Sequence, residues 1–301
     1  MSFFESLSRR DPTIIVQQNI PLKKYTTLRV GGPADFFAEP ASEVARCVLL
    51  EAARESEMPV LLMGNGSNLL VKDGGFRGLV IRLGKAFSAI EPTEKGLFAQ
   101  AGALMSTLSR AAADAAFTGL EFAQGIPGTV GGGVYMNAGA YGGEMSQVVE
   151  SVRVLRDGKT EILSGTDMDF GYRHSKAMDE GMLVLGATFH LEKGDPNAIE
   201  AAMQDFAARR KEKQPLEYPS AGSFFKRPQG HFAGALIEQS GLKGFSVGGA
   251  QVSEKHAGFL INTGDATASD FLALMEKVQE TVWRNFQVAL QPEVRIVGDE
   301  K

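Results

Sequence analysis

"FAQGIPGTVGGGVYMNAGAYGG", residues 122–143, carries eight glycines in 22 positions. Glycine weakens the interior of a helix or strand because it loses the most backbone freedom on folding. A stretch this rich in it therefore reads as loop, short helix and short strand, laid against something large and flat. Where side chains are missing, backbone N–H groups stand open to a ligand. A second such loop, "GNGSN" at 64–68, follows the buried-strand pattern "PVLLM". Alone, one G-x-G occurs in many turns. Two loops of this kind raise a phosphate or cofactor site held on bare amides.

On either side of these loops the chain alternates between two periodicities. Ala45, Val48, Leu49 and Ala52 fall at helical spacing, in a helix that should end before Pro59. "LRVGGPADFFAEP" (28–40) opens on a strand-like segment broken by Gly31, Gly32 and Pro33. "LVIRL" (79–83), "GLFAQAG" (96–102) and "MLVLGATFHLE" (182–192) read as strands. "VESVRVLRDGKTEIL" reads as two strands joined by an Asp157–Gly158 turn. Leu104, Leu108, Ala111, Ala112 and Ala115 form another helical face, which Gly119 is expected to stop.

Beyond "EKGDPNA" near 195 the pattern turns helical. Ile199, Met203 and Phe206 line one face of 197–213, and Arg209, Arg210, Lys211 and Lys213 close that helix, where cations suit the dipole. A short helix at "AGALIEQSG" and a strand at "HAGFLINTG" follow. Thr267 and Asp270 resemble a capping box ahead of a helix carrying Phe271, Met275, Val278, Val282 and Phe286. "PEVRIVG" (292–298) closes as a strand. The expected organisation is an N-terminal segment (1–27), an α+β domain (28–195) and a smaller α+β domain (196–301).

The whole chain bounds the function. It has 301 residues, 44% hydrophobic and 22% charged, with net charge −5, so nothing suggests nucleic acid or an anionic membrane as partner. Glycine is high, at 35 residues, without a fixed period. Cys47 is the single cysteine and lies in an apolar helical pattern, which reads as core and excludes an internal disulfide. The N-terminus lacks the apolar run of a signal peptide, and no stretch approaches a membrane span. A cytoplasmic location is expected. The four histidines lack metal-ligand spacing, so no metal site is expected. Neither the P-loop nor a strand–GxGxxG–helix fingerprint is present.

Single residues stay ambiguous on pattern alone. Ser223, in "PSAGSFFKRP" (219–228), is not in a nucleophile elbow, since A-G-S-F-F replaces G-x-S-x-G. It either caps a turn or serves as a proton donor. Arg173 in "FGYRHS" and Glu293 in "QPEVRIVG" are each either a solvated strand edge or a site group on a rigid element.

Taken in order, "NIPLKKYTTLRVGGPADF", "LLMGNGSNLLVKDGGFRGLVI", the 122–145 block, "FGYRHS", "PSAGSFFKRP", "AGALIEQSGLKG", "GGAQVSEKHAGFLIN" and "PEVRIVG" resemble the bacterial UDP-N-acetylenolpyruvoylglucosamine reductases. The resemblance runs from about Asn19 to Val297, and the joint order of the blocks is what makes it specific. It implies an FAD-binding domain of the vanillyl-alcohol-oxidase (PCMH) type, made of two α+β subdomains, and a C-terminal α+β substrate-binding domain. FAD, bound non-covalently, would lie on Gly64, Asn65, Gly66, Ser67, Asn68 and Leu69, and on Gly125, Pro127, Gly128, Thr129, Gly131 and Gly132, with Asn137 and Ala138 nearby. The catalytic residues would be Arg173, Ser223 and Glu293.

The resemblance also implies NADPH as reductant and UDP-N-acetylglucosamine enolpyruvate as substrate, with Lys213 and Lys226 as substrate contacts. Helix-end charge explains Lys213 nearly as well, and solvent exposure explains Lys226. A monomer is expected. Few residues separate "FGYRHSKAMDEG" from the next strand, so the chain resembles the shorter, second type of the family, without the tyrosine-bearing loop. An oxidase sharing the flavin domain is the competing enzyme class. The "PSAGSFFK" and "PEVRIVG" blocks, on the substrate side, argue against it.

Overall fold

The computed structural model describes residues 2–300. Two compact units are interleaved along the chain. The first contains the residues up to Val16, Ala38–Asn65 and Leu79–Arg210; the second contains Gln17–Phe37, Gly66–Gly78 and the chain from Lys211 onward. The units follow long-range pairing, whereas the blocks 28–195 and 196–301 follow composition.

In the first unit an all-antiparallel five-stranded sheet runs in the order Lys159–Ser164, Val149–Arg156, Leu183–His190, Gly96–Gln100, Ile90–Thr93. Inward-facing Val152, Val154, Ala187 and Phe189 alternate with outward residues, as strand geometry requires. They share a core with Met105 and Leu108 of helix Met105–Asp114 and with Val130 and Val134 of the six-residue helix Val130–Tyr135. The Asp157–Gly158 turn forms with φ of 49° and 78°, the left-handed pair a two-residue hairpin demands. Helix Met105–Asp114 ends with Ala116 in the left-handed region, three residues before the expected stop at Gly119.

Helix Glu43–Glu55 precedes strand Val60–Met63, which pairs in parallel with Leu79–Arg82. Its buried face is Arg46, Leu49, Ala52 and Ala53, rotated from the expected one. Cys47 is only half-buried, because the neighbouring Arg46 turns inward and places its guanidinium 5.8 Å from the Phe87 ring centroid.

In the second unit the sheet order is Ser220–Ser223, Phe259–Asn262, Ala250–Val252, Ser246–Val247, again antiparallel. Helix Ala268–Phe286 buries Phe271, Leu274, Val278 and Val282 in the same core as Leu260, Val252 and Phe224. The Phe224 and Phe271 rings stack at 6.2 Å. The Thr267 hydroxyl accepts from Asp270 N–H (3.1 Å), and the Asp270 carboxylate accepts from Thr267 N–H (2.9 Å), completing the capping box. Strand Leu69–Val71 pairs in parallel with Arg295–Val297. The Leu28–Gly32 stretch is not a strand; the strand begins at Pro33 and pairs with Gln17–Pro21. Among the described residues no helix is long and apolar enough to cross a membrane.

Candidate active site

In the first unit the two glycine-rich loops touch. The Asn65 side-chain amide donates to the Pro127 carbonyl at 2.6 Å. Gly64 has no room for a side chain, since a Cβ there would lie 2.2 Å from Thr129 Oγ1. Val130 N–H and Gly131 N–H donate to the Ala103 and Ala101 carbonyls, both at 2.8 Å, and Gly128 accepts from Met105 N–H. Gln124 Oε1, immediately before Gly125, is buried without a hydrogen-bond partner. In the second unit Thr27 Oγ1 is likewise buried and unpartnered, while Thr27 N–H donates to the Gly66 carbonyl. Buried polar atoms are nearly always satisfied, so within its own unit each atom suits a polar ligand group, Gln124 Oε1 as an acceptor and Thr27 Oγ1 as a donor or acceptor.

Asn137 does a different job from its neighbours. It is 1% exposed, with its amide donating to the Gly171 carbonyl (2.9 Å) and its Oδ1 accepting from Ser146 N–H (2.9 Å). Ala138 N–H donates to the Gly133 carbonyl. Asn137 thereby anchors the turn that displays Arg173. Gly171 and His174 exchange backbone hydrogen bonds across that turn, and the buried Ser175 hydroxyl donates to the Tyr135 carbonyl at 2.7 Å. At the tip Arg173 is left-handed (φ 56°), its guanidinium 5.1 Å from the Tyr172 centroid and donating to the Gly139 carbonyl at 3.1 Å. His174 bonds Asp179 at 2.9 Å, which raises the imidazole pKa against a smaller opposing effect of burial.

The basic run at the end of helix Pro196–Lys213 separates into distinct roles. Arg209 pairs with Asp205 on the exposed face (2.8 Å) and Lys213 is exposed. Arg210 is 9% exposed, its Nε is buried without a partner, and its guanidinium lies 5.8 Å from the Tyr141 centroid. Tyr141 stacks on Phe206 at 4.7 Å. Gly125 makes room for this group, since a Cβ there would come 2.8 Å from Arg210 Nη1. Helix-dipole favour, the reading given to the whole run, does not account for the burial of Arg210. The signal was its position four residues after Phe206, on the apolar face with Ile199 and Met203.

In the second unit Ser223 and Glu293 lie on adjoining backbone. Glu293 N–H donates to the Phe224 carbonyl at 2.8 Å, Phe225 bridges to Pro292, and Lys226 N–H donates to Gln291. Ser223 is exposed and pairs with Phe259. Between Ser220 and Ser223 the strand bulges, three residues of travel against two on its partner, with Gly222 at φ 77°. A bulge of this kind re-aims the side chain that follows it. Gly222 has open space where a Cβ would stand, so backbone conformation alone calls for glycine. Asn68 clamps the other side: its amide donates to the Glu293 carbonyl (3.0 Å) and its own carbonyl accepts from Arg295 N–H.

These features define a protein that binds FAD: residues 34–164 match the FAD-binding domain family. Residues 214–297 match the C-terminal domain of UDP-N-acetylenolpyruvoylglucosamine reductase. The reductase of that name from Clostridium novyi is 52% identical over 286 residues, covering 95% of this chain and 93% of the relative. The one from Latilactobacillus sakei is 50% identical over 299 residues, covering 99% and 98%. The crystal structure of the reductase from Thermus caldophilus superposes with a TM-score of 0.83 at 38% identity, covering 95% of this chain and all of that one. The chain belongs to the UDP-N-acetylenolpyruvoylglucosamine reductase family.

Proposed function

We propose that the chain reduces UDP-N-acetylglucosamine enolpyruvate to UDP-N-acetylmuramate, in peptidoglycan precursor synthesis, with NADPH as reductant and as a cytoplasmic monomer. The observation that carries this reading is identity of 38–52% along nearly the whole chain to reductases of this one family. Gly64–Leu69, Gly125 and Pro127–Gly132 would hold FAD, as the side-chain-free glycines and the unpartnered Gln124 Oε1 and Thr27 Oγ1 suggest. When bound, FAD supplies hydride transfer, two electrons in from NADPH and out to the terminal vinyl carbon of the substrate.

The chain's own residues handle charge and the proton. After hydride addition, negative charge collects on the substrate carboxylate as an enediolate. Arg173 stabilises that charge, and Glu293 hydrogen-bonds to and polarises the same group. Ser223 gives its hydroxyl proton to the carbon bearing the ether oxygen. A serine hydroxyl is too weak an acid for a resting alkene, but an enediolate is basic enough to take its proton. The absence of a histidine base beside Ser223 is therefore expected. Lys213 and Lys226 contact the substrate's charged groups.

Absorbance spectra test the reading. Purified protein should be yellow, bleach anaerobically with NADPH, and recover colour when the enolpyruvyl substrate is added. Bleaching with no substrate-driven recovery sinks it.

A further inference from the structure

His256 stands behind the Ser223 strand. Its Nδ1 accepts the Gly258 backbone N–H at 3.1 Å. A backbone amide can only donate, so Nδ1 is the unprotonated nitrogen and the imidazole is neutral with its proton on Nε2. The Gly258 carbonyl, in turn, accepts from Phe224 N–H at 2.8 Å, the amide that follows Ser223. The His256 ring also meets Phe259 edge-on at 5.0 Å, and Phe259 is the cross-strand partner of Ser223. Two links thus join one imidazole to the serine strand: Gly258, whose N–H meets the imidazole and whose carbonyl meets Phe224 N–H, and Phe259, whose ring meets the imidazole and whose backbone pairs with Ser223.

The surroundings hold that imidazole in place and in the neutral form. The Ser253 hydroxyl accepts from Lys255 N–H and His256 N–H, fixing the turn. Gly258 leaves room for the ring, since a Cβ there would lie 3.0 Å from His256 Cε1. Gly234, on helix Ala233–Gln239, also stands against the ring, since a Cβ there would lie 3.3 Å from His256 Cε1. Burial pushes the imidazole pKa down, opposed first by the backbone of His256 itself and then by Glu238, and helped by Lys243; Lys243 and Glu238 pair with each other at 2.7 Å.

We infer that His256 is a positioning residue for Ser223, whose neutral imidazole fixes the backbone at Gly258 and so the direction of the serine hydroxyl. The inference rests on the proton-donor reading of Ser223. Misplacing a reacting group by about 1 Å can cost about 100-fold in rate, which sets the size of the expected effect.

The test separates the two half-reactions of the holoenzyme by rapid mixing, in His256→Ala, His256→Asn and Ser223→Ala. His256→Ala should slow substrate-driven reoxidation by about 100-fold and leave bleaching by NADPH unchanged. Asn carries an acceptor that bonds an amide two residues on, so His256→Asn should recover most of the loss. Amide hydrogen exchange at Phe224 should quicken in His256→Ala and not in His256→Asn. Gly258→Ala, which crowds the imidazole without removing it, should give the same split and stands in if His256→Ala does not fold. Equal slowing of both halves, no recovery by Asn, or unchanged Phe224 exchange overturns the inference. If Ser223→Ala slows reoxidation and His256→Ala does not, the positioning role alone falls. If Ser223→Ala leaves reoxidation intact, the proton-donor reading falls first and this inference with it.

Discussion

Glu293 N–H donates to the carbonyl of Phe224 at 2.8 Å, so the segment carrying Glu293 is hydrogen-bonded to the residue that follows Ser223. The 68 residues of chain between them, 225–292, are closed by that contact. The pair is held from a third side by Asn68, whose amide donates to the Glu293 carbonyl.

Ser223→Ala should keep FAD and keep bleaching by NADPH, while reoxidation by the enolpyruvyl substrate falls by about 10²–10⁴-fold, the usual reach of a general acid. Glu293→Gln should show the same asymmetry. Rapid-mixing kinetics of each half-reaction decide it, and equal losses in both halves defeat the proton-donor role.

Gly64→Ala places a Cβ 2.2 Å from Thr129 Oγ1, where no real Cβ sits. One of the two loops must move, so the variant should purify colourless or with much weakened FAD. Thr129→Ala removes the offending Oγ1 and the Cγ2 at 2.9 Å, leaving only its Cβ at 3.1 Å. The double variant should regain much of its colour. Flavin content by absorbance after desalting measures both, and a Gly64→Ala protein as yellow as wild type contradicts the packing argument.

Local chemistry was legible where it acts over short spans. The Asp157–Gly158 hairpin, the Thr267–Asp270 capping box and the apolar stripe of helix Ala268–Phe286 are decided by neighbours within a few residues. The unusual character of the 64–68 and 122–143 loops was legible too, because glycine density is visible without any partner. Pairing across distance was not. Nothing near Leu69–Val71 announces a parallel partner at Arg295–Val297. The interleaving of the units depends on such pairings. The burial of Arg210 was not legible, because a cation at a helix end is already explained by the dipole, and here the ring of Tyr141 and the bare Gly125 give it a buried berth. The chemistry assigned to Arg173, Ser223 and Glu293 came from family resemblance, since no local pattern links three positions so far apart.

Asp73 caps helix Ala268–Phe286 from another part of the chain. Its carboxylate accepts from Ala268 N–H and Ser269 N–H, both at 2.9 Å, and from the Ser269 hydroxyl at 2.6 Å. Asp73→Ala leaves two first-turn amides unpaired and removes an anion from the positive end of the dipole. A loss of about 1–2 kcal/mol is expected, read as a lowered denaturation midpoint with unchanged m value. Asp73→Asn, which keeps an acceptor, should lose less. Identical midpoints for all three proteins refute the cap.

His174 gives the pH prediction. Its bond to Asp179 raises the imidazole pKa above the ordinary value, so the folded protein binds this proton more tightly than the unfolded chain does. The stabilisation is therefore complete below the unfolded pKa of about 6.5 and is lost as pH rises through the folded value. About a third of the His174 side chain is exposed, so solvent screening keeps the effect small. Proton NMR should show His174 titrating above the ordinary histidine range in the wild type and lower in Asp179→Asn. The stability advantage of wild type over Asp179→Asn should be larger at pH 6 than at pH 9. Because His174 closes the turn that displays Arg173, weakening this bond should also lower the rate of substrate-driven reoxidation modestly at high pH. A His174 resonance that titrates identically in both proteins contradicts the assignment, since the bond to Asp179 is the leading cause of the shift and Asp169 a lesser one.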